Sequence, residues 1–175
     1  RPPRSTLFPY TTLFRSEARL VIMVGGDEAA FGRGRPLFEV MGRNICRHGG
    51  PGAGQYCKMA NQIAVAVGMV AWVEALAYAK QAGLDPAAVH GSISGGAAGS
   101  WALTNLAPRA LGGNFAPGFY VKHIIKDMKI ALDSAAELKL DLPGLAVAIR
   151  LYEQVATRGW DECGTQALYR LYTEL

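Results

Sequence analysis

Apolar positions fall into two regimes along this chain. Up to about residue 50 they come in short bursts; from Gly52 onward they recur at helical spacing. The burst Leu20-Val-Ile-Met-Val24 is short, rich in β-branched residues and stopped by Gly25-Gly26, which predicts a buried strand. Asp27 stands where it can cap a helix with Phe31, Leu37, Phe38 and Met41 on its apolar face. Gly32 and Gly34 weaken that helix by about 1 kcal/mol each relative to alanine, and Pro36 is expected to break it. Gly42-Arg43-Asn44-Ile45 predicts a second short extended piece before Gly49-Gly50.

The helical regime opens with a helix over 53–82 that stops at Gly83. Its middle is apolar on every side, as expected of a helix enclosed by protein. Asp85-Pro86 combines a cap with a proline at the first helical position, predicting a short helix to about Ser94. Ser94-Gly-Gly-Ala-Ala-Gly-Ser100 interrupts it, and a helix over 101–111 follows. A loop through Asn114-Phe-Ala-Pro-Gly118 leads to a helix over 121–138, and Pro143 and Asp161 open the last two helices. The expected fold is therefore mostly α, preceded by a fragment of strand and helix. One strand with a short companion makes no stable sheet by itself, so the strand at Leu20 calls for neighbours that these residues do not supply, and the chain reads as truncated.

Residues 1–16, Arg-Pro-Pro-Arg through Phe-Arg-Ser, differ from the rest. They contain no acid, hold Pro2, Pro3 and Pro9, and repeat Thr-Leu-Phe at 6–8 and 12–14. The prolines break any amphipathic transit helix. The segment resembles a translated sequencing-adapter peptide, and we expect a non-native or disordered leader. Segment 17–50 then holds the strand–helix fragment, and 51–175 an all-α domain.

Composition narrows the function. Half of the residues are apolar and 18% are charged, which argues against disorder. The sequence pI of 9.1 depends on the leader: without Arg1, Arg4 and Arg15 the formal charge falls from +4 to +1. No basic stripe with interleaved aromatics remains, so no nucleic-acid partner is expected. The longest uncharged apolar run, Ile63 to Val73, is too short to span a bilayer, and no membrane partner is expected. Cys46, Cys57 and Cys163 form neither a CxxC pair nor an even set, which points to reduced thiols and a cytoplasmic location. His48, His90 and His123 lack ligand spacing, so no metal site is expected.

The chemistry concentrates in Gly50-Pro-Gly-Ala-Gly-Gln-Tyr-Cys-Lys-Met-Ala-Asn-Gln62. A glycine turn runs into the long apolar helix with Lys58 in its first turns. Asn61 and Gln62 follow at i+3 and i+4, on the same helix face. An ammonium and two amides at the positive end of a helix suit a carboxylate or carbonyl oxygen. Such an ammonium can give a proton to a carbonyl oxygen as hydride arrives. Taken singly, Lys58 reads first as a solvated surface charge, and Lys126 with Asp127 first as an ordinary charged pair on a wet helix face. The glycine turn and the amide pair beside Lys58 are what raise it above that.

Gly52-Ala-Gly54 with Lys58-Met-Ala-Asn61-Gln62 resembles the signature of the β-hydroxyacid dehydrogenases, which include 3-hydroxyisobutyrate dehydrogenase and tartronate semialdehyde reductase. The resemblance continues through Ser94–Ser100, Asn114-Phe-Ala-Pro-Gly-Phe119 and His123-Ile-Ile-Lys126-Asp127-Met128, and it spans roughly 18–175. It implies a helical C-terminal domain of the 6-phosphogluconate-dehydrogenase-like type, preceded by a remnant of a Rossmann domain. It further implies hydride transfer between NAD or NADP and a small hydroxy acid or semialdehyde carboxylate. Lys58 would be the general acid/base, with Asn61, Gln62, Gly52 and Gly54 toward the substrate. Lys126 and Phe119 would reach the cofactor, and a homo-oligomer would form through the helical domain.

Two departures stand against the family pattern. Gly32 and Gly34 interrupt a helix that members keep, and no cofactor fingerprint is present. Gly50-Pro-Gly-Ala-Gly54 does not replace that fingerprint, because Cys57 stands where a third glycine is needed. These residues alone are expected to be inactive. A competing reading is a non-catalytic helical module that dimerises through Ile63, Val67, Val70, Trp72 and Leu76.

Overall fold

The computed structural model describes residues 17–174, so the leader expected at 1–16 lies outside the described residues. Two units divide the chain, the first ending at Asn61 and the second beginning at Gln62. The described part of the first unit is a β–α–β element followed by the start of a helix. Strand β1, Leu20–Val24, and strand β2, Gly42–Arg47, pair in parallel, with Ile22 opposite Ile45 and Met23 opposite Cys46. Helix α1, Glu28–Glu39, connects them, with Asp27 accepting from the Ala30 N–H as its cap.

Pro36 does not break α1, contrary to the expectation from sequence. Its missing N–H removes only the bond to the Gly32 carbonyl, and just one turn follows it. Phe31 and Phe38, stacked with centroids 6.2 Å apart, tie that turn to the first turn of the helix. Only Gly42 and Gly54 are buried among the described residues of this unit. A parallel sheet is normally covered on both faces, so a hydrophobic core is not what shapes this element.

The long helix α2, Ala53–Gln81, begins in the first unit and continues into the second. It ends where predicted: Leu84 N–H bonds back to Ala79 and Gly83 N–H to Lys80, with Gly83 at φ +80°. This is the double carbonyl cap that glycine permits. The expectation of burial on every side is corrected. Ala66, Met69, Trp72, Val73 and Leu76 form a buried stripe, while Val65, Val67 and Tyr78 are exposed. Those exposed positions are apolar, so periodicity alone did not separate the two faces. By length and composition α2 is also apolar enough to cross a bilayer, which the uncharged run of Ile63 to Val73 understated; 44% of its most apolar window is buried within the chain.

The core belongs to the second unit. It contains α3 (Pro86–Ile93), α4 (Trp101–Asn105), α5 (Ala107–Leu111), α6 (Val121–Glu137), α7 (Pro143–Thr157), a 3-10 turn (Thr165–Tyr169) and α8 (Arg170–Thr173). Helices α6 and α7 pack on each other, contributing Val121, Ile124, Met128, Leu145, Tyr152 and Val155 to the interior. The single helix expected over 101–111 is two, because Pro108 cannot donate to Thr104 and the chain steps at Leu106, φ −103°. Asp161 does not open a helix either. Residues 161–165 spend backbone groups on the first turn of α6 and the segment before it: Lys122 N–H donates to Asp161, and Thr165 N–H to Phe119.

Candidate functional site

Lys58 and Asn61 belong to the first unit, one turn apart on α2, and both are exposed. Lys58 stands beside a cleft of 480 Å³ whose wall includes Met23, Gly25, Phe38, Gly54 and Gln55. The cleft owes its shape to two glycines. A Cβ on Gly54 would lie 2.6 Å from the Met23 carbonyl oxygen, and one on Gly25 would lie 2.7 Å from the Gly54 nitrogen. The end of β1 and the start of α2 therefore meet backbone to backbone, which only glycine allows. Gly52, at φ +89°, makes the turn into the helix. The predicted glycines thus act by delivering Lys58 to the mouth of the cleft, next to the strand end.

Gln62, Phe119 and Lys126 belong to the second unit, where Gln62 and Lys126 converge on one carboxylate. Gln62 is 4% exposed and donates Nε2–H to Asp127 Oδ2 at 2.7 Å. Lys126 Nζ lies 3.0 Å from the other oxygen, Oδ1. A buried carboxylate needs compensation of this kind, since an unpaired charge out of water is costly. The wet charged pair expected from sequence is corrected in part. The pair forms, but the Asp127 side chain is only 11% exposed, whereas Lys126 is 64% exposed. The Lys126 ammonium is held by that carboxylate and still keeps a face toward solvent. Phe119 stacks at a tilt on His123, centroids 6.1 Å apart, and Tyr120 meets the same ring edge-on at 5.4 Å.

The burial of Asp127 is what reading the sequence missed, although a signal was present. On α6 the buried positions are Val121, Ile124, Met128, Ala131 and Ala135, and Asp127 falls within that stripe, three residues after Ile124 and four before Ala131. Gln62 likewise heads the stripe of Ala66, Met69 and Val73. An acid and an amide at buried stations of two helices are a pair waiting to be matched. His90 is engaged elsewhere, its Nε2 lying 3.0 Å from the Leu103 carbonyl oxygen. Cys46 is exposed, Cys57 and Cys163 are half-buried, and all three are free thiols.

The fold of this chain is that of part of the solved hydroxyacid dehydrogenases. The solved 3-hydroxyisobutyrate dehydrogenase of Salmonella typhimurium superimposes with a TM-score of 0.85 at 26% identity, over 91% of this chain and 56% of that one. The Mycobacterium tuberculosis enzyme of the same name gives 0.83 at 29% identity, over 91% and 57%. Residues 52–172 match the family described as the NAD-binding domain of NADP-dependent 3-hydroxyisobutyrate dehydrogenase, and the chain belongs to that family. Among curated relatives, an uncharacterized oxidoreductase of Bacillus subtilis is 53% identical over 155 residues, which are 89% of this chain and 54% of the relative. The 2-hydroxy-3-oxopropionate reductase of Escherichia coli is 45% identical over 152 residues, 87% of this chain and 52% of the reductase. The chain spans about half the length of these relatives.

Proposed function

We propose that these residues are the substrate- and cofactor-facing helical part of an NAD(P)-dependent β-hydroxyacid dehydrogenase, of the 2-hydroxy-3-oxopropionate reductase or 3-hydroxyisobutyrate dehydrogenase type. In the complete enzyme a hydride passes between the nicotinamide and the carbon bearing the alcohol or aldehyde oxygen. Lys58 gives or takes the proton on that oxygen. Asn61 holds the small carboxylate substrate, while Gln62, next to it in sequence, is locked to Asp127. Gly52 and Gly54 shape the approach, and Lys126 and Phe119 meet the cofactor. The observation that carries this reading is the Asp127 bridge, which fastens a predicted substrate group, Gln62, and a predicted cofactor group, Lys126, to one buried carboxylate. The family match across 52–172 supports the same chemistry. A cytoplasmic, reducing location belongs to this proposal.

The test is Lys58→Ala in the complete enzyme, assayed by nicotinamide absorbance with 2-hydroxy-3-oxopropionate and with 3-hydroxyisobutyrate. Loss of a general acid/base should lower kcat by on the order of a hundredfold or more. A rate equal to that of the unsubstituted enzyme would remove Lys58 from the mechanism.

The exposed apolar positions of α2 favour one addition. Val67 and Tyr78, about three turns apart, lie on the side of α2 away from the buried stripe, at 37% and 76% exposure. We infer that this face pairs with a second copy of the chain, so that assembly accompanies catalysis rather than replacing it.

A further inference from the structure

The loop before α6 is held by a clasp that the proposed chemistry has not yet used. Gln166 is 1% exposed, and its side-chain amide donates to two carbonyls of that loop, Asn114 and Ala116, each at 3.1 Å. Arg109 Nη2 donates to the same Ala116 carbonyl at 2.6 Å. Arg170 places its guanidinium 5.2 Å from the Phe115 ring centroid and 3.9 Å from that of Trp160. Backbone bonds extend the contact: Gly164 N–H to Phe115, Thr165 N–H to Phe119, and Val121 N–H to Cys163. Tyr152, fully buried on α7, fixes the other side by donating to the Thr165 carbonyl at 3.0 Å. Gly164 leaves room for the folded amide, since a Cβ there would fall 2.3 Å from Gln166 Oε1.

The loop so gripped ends in Phe119 and runs directly into the helix bearing Lys126 and Asp127. We infer that Gln166 is a positioning residue, which sets where Phe119 and the first turns of α6 stand and thereby tunes the grip on the nicotinamide cofactor. This rests on the function proposed above. A buried amide suits the task because its two N–H groups can satisfy two carbonyls at once. An apolar residue of the same size fills the space but takes the donor from the Asn114 carbonyl and leaves Ala116 to Arg109. A carboxylate is worse, since it sets negative charge against two carbonyl oxygens; once protonated, it recovers one O–H donor.

The experiment compares Gln166→Met and Gln166→Glu with the parent in the complete enzyme. It reads KM for the nicotinamide cofactor, kcat, melting temperature and amide hydrogen exchange over 114–122. Gln166→Met should raise the cofactor KM about tenfold, with kcat within about twofold, because the cost falls on binding rather than on the proton-transfer step. Exchange should quicken in 114–122 while α2 stays protected. Gln166→Glu should show a KM that falls toward the parent value as pH is lowered, a response Gln166→Met lacks. The inference is overturned if exchange quickens but KM holds, if 114–122 exchanges as in the parent, or if KM and kcat decline together in step with melting temperature. A parent enzyme without nicotinamide-dependent turnover would sink the function reading, and the inference that rests on it; an active parent with an unmoved Gln166→Met KM would sink the inference alone.

Discussion

At the scale of single residues, the polar side chains of Gln62, Asp127 and Gln166 that the second unit buries are held by partners. Asp127 is the main case, and its pairing was legible only as a position on a stripe, because its partner Gln62 lies 65 residues away in sequence. No local spacing encodes such a contact. Lys58 could be proposed from sequence for the opposite reason, since everything that singles it out lies within a few residues. The carboxylate of Glu174 offers a residue-scale test. Arg170 forks onto it through Nε at 2.8 Å and Nη2 at 2.7 Å. That hydrogen bonding, with the guanidinium charge behind it, holds the Glu174 carboxyl below its usual range. A depressed folded-state value means the pair contributes stability above the unfolded carboxylate pKa and loses it as pH falls through the folded one. Urea midpoints should therefore drop across the acid range in the parent. Arg170→Met should flatten that part of the curve; an unchanged acid limb would show that the pair contributes nothing.

At the scale of elements, the parts that matched expectation are those with local stop and start chemistry. Asp27 and Asp85 cap their helices, and Gly83 ends α2 in the left-handed region. The step at Leu106 was missed although Pro108 signals it locally, whereas the 3-10 turn at Thr165–Tyr169 was not visible, because tertiary contacts decide it. The latter segment is buried along its whole length, so it presents no period to read. The glycines give a paired element-scale prediction. Gly54→Ala should cost about 1–3 kcal/mol, since its new methyl meets the backbone of β1 at a joint with no slack. Gly68→Ala, mid-helix with nothing within 4 Å of the added carbon, should stabilise by about 0.4–1 kcal/mol. Thermal melts of the two variants decide it, and equal shifts in the same direction would refute the packing argument at Gly54.

At the scale of the whole molecule, burial is unevenly shared. The second unit holds a full apolar interior, while the described first-unit residues bury only two glycines. The exposed face of α2 is where self-association is tested. Light scattering at micromolar concentration should report a dimer or larger, and Val67→Glu should shift it to monomer because a charge cannot be buried unpaired across an apolar contact. A monodisperse monomer of the parent would count against pairing through α2.

The stack of Arg170 on Trp160 has an optical consequence. The protein has three tryptophans in three settings. Trp72 is buried, with its indole N–H on the Met69 sulfur at 3.3 Å, Trp101 is 59% exposed, and Trp160 lies beneath a guanidinium. A collisional quencher such as iodide reaches Trp101 first, and Trp101→Phe removes that signal. What remains is a dark-shielded interior fluorophore and one whose emission depends on a cation held against its ring. The clasp on the loop before α6 thus contains its own dye, and its opening can be followed in real time without any label.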